Sequence, residues 1–170
     1  MDGRTIEAIK AQGEVEFIRA IQAELVAKQY RPVAVRRVFI PKGRGRFRAL
    51  GIPVIKDRII QGAVRLVLEP IFEANFCEGS YGFRPGRGCR DAIAAIRKWV
   101  TYGYSHVIDA DVAACFDSID HDLLLELVQR RVRDKWVLRL IRWWLKAGIM
   151  EADQVQTPVR GTPQGGVPTP

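Results

Sequence analysis

Residues 106–121 read HVIDADVAACFDSIDH and contain the densest group of acidic residues in the chain. The β-prone pair Val107 and Ile108 leads into Asp109 and Asp111, and side chains two positions apart on a strand lie on one face. Carboxylates placed side by side repel each other unless a cation or water screens them. Mg²⁺ takes oxygen ligands, usually one or two carboxylates together with substrate phosphates. The stretch therefore predicts a strand that ends in a metal-assisted phosphate site.

The same residues also permit a purely structural interpretation. Asp120 stands where a helix N-cap would accept backbone hydrogen bonds, ahead of a helix predicted over residues 122–130. In that case the acids only mark a strand that stops at a polar turn. From this stretch alone, both interpretations remain open.

The composition indicates a folded basic protein with a polyanionic partner. The 170 residues, 48% of them hydrophobic, are enough for a core in one domain or two small ones. Lys and Arg outnumber Asp and Glu by 27 to 19, which gives a net charge of +8 and favours nucleic acid as a partner. The excess is local, because residues 28–65 hold eleven basic residues and a single acid, Asp57.

The cysteines and the lengths of the apolar runs predict the cellular compartment of the protein. Cys77, Cys89 and Cys115 are odd in number and show no C-x-x-C spacing, so neither a disulfide framework nor a zinc site is indicated. No apolar run is long enough to span a bilayer, and the N-terminus shows no signal-peptide pattern. We therefore expect a cytoplasmic protein that does not act at a membrane.

A basic β-hairpin is predicted over residues 33–52. Residues 33–40 alternate around β-branched side chains, residues 43–46 read GRGR, and residues 47–52 return as a second strand. Such a hairpin either forms a charge-protected sheet edge or brings backbone amides and cations to a triphosphate or a phosphodiester. Four of its arginines are predicted to contact nucleic acid: Arg36, Arg37, Arg44 and Arg46.

A second candidate nucleic-acid contact is the loop of residues 79–88, which reads GSYGFRPGRG. Aromatic rings interleaved with arginines can stack on bases and hold backbone phosphates. Arg84 and Arg87 are therefore predicted to contact nucleic acid. In the alternative, Tyr81 and Phe83 simply fill the core.

The remaining segments predict a helical scaffold. Apolar spacing predicts helices within residues 5–29 with a break at Gly13, over 55–72 with an end near Pro70, over 91–100, over 123–128 and over 136–145. The helical spacing of Leu140, Trp143 and Trp144 predicts that they belong to the core. Short strands are expected over residues 149–152 and 155–159.

Four motifs, in this order along the chain, resemble the reverse transcriptase domain encoded by bacterial group II introns. They are VRRVFIPKGRGRFRALGIP (35–53) with DRIIQ (57–61), SYGFRPGRG (80–88), DADVAACFDSIDH (109–121) and GTPQGG (161–166). Retron, CRISPR-linked and diversity-generating reverse transcriptases share several of them. The resemblance covers essentially the whole chain and implies an α+β right-hand polymerase fold. Residues 1–105 would form the fingers, and residues 106–170 an incomplete palm with a short antiparallel sheet.

The resemblance also implies roles for single residues. Asp111 matches the first catalytic aspartate, which binds Mg²⁺, and Val112 would add its backbone carbonyl. Phe116 falls on the sugar-gate position, where a ring beneath the ribose excludes a 2′-hydroxyl group. Three further positions match contacts to the incoming nucleotide: Lys42, Arg48 and Gln164.

The implied activity is Mg²⁺-dependent RNA-directed DNA synthesis, a two-metal phosphoryl transfer. RNA template or intron RNA, a DNA primer and deoxynucleoside triphosphates would be the partners. The family's Tyr-Ala-Asp-Asp motif, which carries further metal-binding carboxylates, does not occur in the chain, so we expect the fragment alone to be inactive. An uncovered palm edge or the fingers would favour a homodimer.

Two other functions remain as alternatives. One is a non-catalytic RNA-binding module, a maturase, that assists intron splicing through the basic hairpin and the loop of residues 79–88. The other is a metal-dependent nuclease that uses Asp109 and Asp111.

Overall fold

A computed structural model describes residues 4–43, 45–152 and 154–162, which form seven helices and four strands. In chain order these are α1 (Ile6–Gln12), α2 (Glu14–Val26), β1 (Val35–Gly43), β2 (Arg46–Ile52), α3 (Ile55–Glu73), α4 (Cys89–Thr101), α5 (Cys115–Ser118), α6 (His121–Gln129), α7 (Lys135–Lys146), β3 (Ile149–Glu151) and β4 (Gln154–Gln156). The mixture of helices with a small sheet confirms the predicted α+β class.

The predicted basic hairpin is confirmed. Strand β1 pairs antiparallel with β2, which places Ile40 opposite Arg48. Strands β3 and β4 form a second antiparallel pair, and Val35 of β1 pairs in parallel with Ile149 of β3. The two hairpins therefore form one mixed sheet in the order β2-β1-β3-β4. This sheet includes residues from both sides of residue 105, and the division into fingers and palm at that point stays a prediction.

The core lies between helices α2, α3 and α7. Ile21 of α2, Ile60 of α3 and Leu140 of α7 form a buried cluster with Tyr30, and Trp143 and Trp144 pack against it. The prediction that Leu140, Trp143 and Trp144 belong to the core is therefore confirmed. Burial of these apolar side chains holds the three helices together.

A buried polar network connects this core to the start of the hairpin. Asp57 is 1% exposed, and its carboxylate accepts hydrogen bonds from the Tyr30 hydroxyl (2.8 Å) and from the backbone N–H of Val33 (2.9 Å). Trp144 Nε1 donates to the Tyr30 hydroxyl oxygen at 2.9 Å. Burial raises the pKa of Tyr30 far above its ordinary value, so the hydroxyl stays protonated and keeps donating. The network thus fixes the segment between α2 and β1 against α3 and α7.

Tyr30→Phe is expected to lower the free energy of unfolding by about 1–3 kcal/mol, because the buried Asp57 and Trp144 each lose a hydrogen-bond partner. Urea unfolding followed by circular dichroism measures the change. Tyr102→Phe, at a tyrosine that is 64% exposed, serves as the control and should unfold like the wild type. Equal midpoints for all three proteins would show that the network adds nothing to stability.

The predicted strand at residues 106–111 is wrong. Residues 104–112 form no strand, and Val107 and Ile108 are 84% and 94% exposed. Within the described part of the chain, the backbone of residues 105–112 makes no backbone hydrogen bond. A strand requires a neighbouring strand to pair its N–H and C=O groups. The β-prone side chains of this segment have no such neighbour among the described residues.

Helix α3 also departs from the prediction, since it passes through Pro70 and ends at Glu73. Proline removes one backbone donor, but its carbonyl still accepts a hydrogen bond from Ala74 N at 3.4 Å, so the last turn closes. Although α3 has 19 residues, none of the helices in the described ranges is both long and apolar enough to cross a membrane.

Candidate functional site

A cleft of about 740 Å³ separates the basic hairpin from the acidic segment. The hairpin forms one side, the turn into α5 forms the second, and the segment from Gln156, at the end of β4, to Thr162 forms the third. Five residues that the sequence assigned to metal or nucleotide binding line this cleft: Lys42, Arg48, Asp111, Val112 and Phe116. Residues that lie far apart in the sequence thus share one site.

Strand β1 explains which hairpin cations reach the cleft. Consecutive side chains of a strand point to opposite faces, so Arg37 lines the cleft whereas the exposed Arg36 does not. Arg37 Nη1 pairs with Glu151 Oε2 at 2.9 Å, which also ties β1 to β3. Lys42 and Arg48, the two cations that the resemblance assigns to the triphosphate, line the same cleft.

The acidic side of the cleft is formed by a turn. Asp111 is exposed and lines the cleft, but Asp109 does not. Beyond Asp111 the chain reverses at Ala114, which has a left-handed backbone (φ +49°), and enters the short helix α5. This turn presents the half-exposed Phe116 ring and Asp117 to the cleft. Of the two aspartates first considered as a pair, only Asp111 belongs to the site.

The donors present fit Mg²⁺ in one specific way. Among residues 4–43, 45–152 and 154–162, no group of three or more His, Cys, Asp or Glu could hold a metal ion. A nuclease site around Asp109 and Asp111 would need such a group. The Asp111 carboxylate and the Val112 carbonyl are oxygen donors of the kind that Mg²⁺ prefers, beside cations that suit phosphate. They fit an ion that is bound jointly by protein and substrate phosphates.

Arg160 lines the third side of the cleft, and the sequence did not identify it. Its Nε lies 3.9 Å from Asp120 Oδ2, and its side chain is 71% exposed. The available signal was its position immediately before the GTPQGG motif. Asp120 also caps α6, as predicted, and backbone hydrogen bonds from Leu123 and Asp122 hold its pKa below the ordinary value.

The loop of residues 79–88 requires a correction at Arg84. Its side chain is only 6% exposed and pairs with Glu73 at 2.6 Å. The same guanidinium donates to the backbone carbonyls of Cys77 and Ser80 at 2.7 and 3.0 Å, and its hydrogen bond holds the pKa of Glu73 below the ordinary value. Arg84 therefore holds the loop together, in place of the predicted nucleic-acid contact.

Three other predicted nucleic-acid contacts, Arg36, Arg46 and Arg87, do not line the cleft. Arg87 donates to the backbone carbonyl of Glu78 and lies over the Tyr81 ring, so it too takes part in the structure of the loop. Arg36 and Arg46 are exposed on the hairpin. Arg44 and Gln164 lie outside the described residues, and their roles stay predictions.

Comparisons with known proteins show which proteins the chain resembles. The chain is 37% identical to "Protein YkfC" of Escherichia coli (strain K12), over all of this chain and 45% of that protein. It is 40% identical to "Group II intron-encoded protein LtrA" of Lactococcus lactis subsp. cremoris, over 91% of this chain and 26% of that protein. The chain thus spans less than half the length of these relatives.

A solved structure and a family model identify the family to which the chain belongs. A chain of a "Partial Cas6-RT-Cas1--Cas2 complex" superimposes with a TM-score of 0.58 and 25% identity, over 89% of this chain and 26% of that one. The model of the family "Reverse transcriptase (RNA-dependent DNA polymerase)" matches residues 40–170, which include the residues that line the cleft apart from Arg37. The chain belongs to the reverse transcriptase family.

Proposed function

We propose that this chain is the nucleotide-binding portion of a group II intron-type reverse transcriptase and supplies the first catalytic carboxylate for RNA-directed DNA synthesis. The observation that carries the proposal is the cleft that Asp111 lines together with Lys42 and Arg48. A carboxylate and two cations in one cleft suit a substrate that brings both a metal ion and a triphosphate. The proposed fingers (1–105) and palm (106–170) each contribute to this cleft.

Each side of the cleft has a distinct task in nucleotidyl transfer. Lys42 and Arg48 neutralise the triphosphate, which gains negative charge on the leaving pyrophosphate as the bond breaks. Phe116 lies under the sugar and selects a ribose without a 2′-hydroxyl group. Asp111 and the carbonyl of Val112 would hold Mg²⁺, which supplies charge stabilisation to the phosphates when it is bound.

RNA template, intron RNA and DNA primer are the proposed macromolecular partners. The exposed Arg36 and Arg46 of the hairpin offer cations to phosphates outside the cleft. We further propose that the chain alone binds nucleotides without polymerising, because its sequence contains no Tyr-Ala-Asp-Asp motif. Cys77, Cys89 and Cys115 are free and exposed, which suits a reducing cytoplasm. A homodimer stays a prediction.

A second candidate function is a non-catalytic module that binds intron RNA and assists splicing. The exposed cations of the hairpin and the intron-encoded origin in the name of the Lactococcus relative favour it. The two functions differ in the cleft. A splicing module needs the cationic surface but has no use for a site that selects a deoxynucleoside triphosphate.

Lys42→Ala is expected to weaken binding of a deoxynucleoside triphosphate with Mg²⁺ by about tenfold to a hundredfold, since a charge-assisted hydrogen bond is lost. Titration of the 170-residue chain with a triphosphate that carries a fluorescent base measures the affinity. Lys10→Ala, at an exposed lysine of α1 outside the cleft, is the control and should bind like the wild type.

The same titration with RNA separates the two candidates. A wild-type chain that binds RNA but no triphosphate would favour the splicing module. A triphosphate affinity that is equal in Lys42→Ala and Lys10→Ala would place the nucleotide outside this cleft and contradict the proposed function.

A further inference from the structure

His121 is a buried histidine at the start of α6, and the function proposed above assigns it no task. It is 6% exposed, and its Nε2 lies 2.6 Å from the backbone carbonyl oxygen of Gly161, forty residues further along the chain. A carbonyl oxygen can only accept, so Nε2 carries the proton and donates this hydrogen bond. The side chain thus joins α6 directly to the segment that follows β4.

Two backbone hydrogen bonds run alongside this contact. Gly161 N donates to Ile119 O at 2.8 Å, and Thr162 N donates to Phe116 O at 2.8 Å. Together with the His121 contact they join residues 160–162 to residues 116–121. We refer to these three hydrogen bonds as the Gly161 clamp.

The clamp requires glycine at position 161. The backbone there is left-handed, with φ +79°, and Gly161 is buried. A Cβ atom on Gly161 would lie 2.6 Å from the carbonyl oxygen of Asp117 and 2.8 Å from its carbonyl carbon. Both atoms are backbone, so they cannot move aside as a flexible side chain would. The two segments approach as closely as they do only because position 161 has no side chain.

Both ends of the clamp reach the cleft. Phe116, whose carbonyl accepts the bond from Thr162, forms the second side, and Arg160, the neighbour of Gly161, forms the third. The three hydrogen bonds of the clamp therefore join these two sides of the cleft.

We propose that His121 is a positioning residue for sugar selection: through Gly161 it fixes the Phe116 turn against the Arg160–Thr162 segment and so sets the room available beneath the nucleotide's ribose. The inference rests on the proposed function, because it assumes that a nucleotide occupies the cleft. His121 itself is buried, does not line the cleft and touches no substrate.

A purely structural role for His121 makes a different prediction. If the residue only stabilised the fold, its loss would lower the folded fraction and reduce the apparent affinity for every nucleotide equally. The ratio of deoxynucleotide to ribonucleotide affinity would not change. The ratio therefore distinguishes a change in the position of Phe116 from a change in the stability of the fold. It is the quantity to measure.

The test compares dATP with ATP, each with Mg²⁺, on the 170-residue chain. His121→Leu removes the donor and is expected to lower the dATP/ATP affinity ratio about tenfold, the scale at which a small change in pocket shape acts. His121→Gln keeps an N–H donor and should retain most of the wild-type ratio. If His121→Leu does not fold, His121→Asn replaces it in the test. The shorter Asn side chain places its N–H donor farther from the Gly161 carbonyl oxygen.

Gly161 provides an independent arm with a matched control. Gly161→Ala inserts a Cβ into the Asp117 backbone and should lower the ratio as His121→Leu does. Gly13 also has a positive φ (+108°), so Gly13→Ala strains the backbone as Gly161→Ala does. The added Cβ, however, would make only ordinary van der Waals contacts, the nearest at 3.7 Å. Gly13 lies between α1 and α2, so this variant should show backbone strain without any change in the ratio.

The outcomes separate the two proposals. A wild-type chain that binds no triphosphate, or binds dATP and ATP equally, overturns the proposed function itself. A wild-type chain that prefers dATP, with the same preference in His121→Leu and Gly161→Ala, leaves the proposed function intact and overturns the positioning role. A lower ratio in both variants, with rescue by His121→Gln, supports it.

Discussion

Phe116→Ala is expected to lower the preference for deoxynucleotides over ribonucleotides by about tenfold or more, because shape-based exclusion in a pocket acts on that scale. The Phe116 ring lines the cleft and is half exposed, so it is available to a bound nucleotide. Its removal leaves room for a 2′-hydroxyl group. The measurement is the dATP/ATP affinity ratio of the chain in the presence of Mg²⁺, and the incorporation ratio in the complete gene product.

Phe39→Ala is the matched control for this prediction. Phe39 is 51% exposed, against 50% for Phe116, and lies on β1 without lining the cleft. Its replacement removes a similar exposed ring and should leave the ratio unchanged. If Phe116→Ala weakened dATP and ATP binding equally, the ring would line the cleft without selecting the sugar.

The helices and the basic hairpin could be predicted from the sequence because their signals are local. The alternation of residues 33–40 and the GRGR turn predicted the hairpin that β1 and β2 form. Asp120 was predicted to cap a helix, and its carboxylate accepts from the backbone N–H groups of Asp122 and Leu123 at 3.0 and 3.1 Å. Periodicity and capping depend on residues within a few positions, so a single sequence contains them.

Features that depend on distant partners could not be predicted in this way. The parallel pairing of Val35 with Ile149 joins two hairpins more than a hundred residues apart, and no local pattern signals it. Val107 and Ile108 have β-forming side chains, yet a strand also needs a neighbour. Arg84 stands among aromatic residues in the sequence and was therefore predicted to contact nucleic acid. In the folded chain it pairs with Glu73 of α3 instead.

The candidate site was predicted from motifs rather than from residue chemistry alone. Chemistry and spacing paired Asp109 with Asp111, whereas the resemblance to reverse transcriptases selected Asp111, and the structure places only Asp111 at the cleft. Arg160 and His121 were missed for different reasons. Arg160 is one basic residue among many. His121 was missed because its contact with Gly161 exists only in the folded chain.

Asp111→Asn is expected to reduce primer extension on an RNA template by about a thousandfold or more in the complete gene product. The amide keeps the shape of the side chain but loses the negative charge, and metal-based charge stabilisation is worth several kcal/mol at about 1.4 kcal/mol per tenfold in rate. Binding of RNA should stay like the wild type, since Asp111 lies in the cleft and the exposed cations of the hairpin are unchanged.

Asp109→Asn is the control, because Asp109 is an equally exposed aspartate two residues away that does not line the cleft. Primer extension by the wild type, Asp111→Asn and Asp109→Asn, measured side by side with Mg²⁺, tests most directly whether the cleft is the site of nucleotidyl transfer. We expect extension to be lost in Asp111→Asn and retained in Asp109→Asn. Extension that survives in Asp111→Asn, or that is lost equally in both variants, would contradict the assignment of Asp111 as the carboxylate that acts in the cleft.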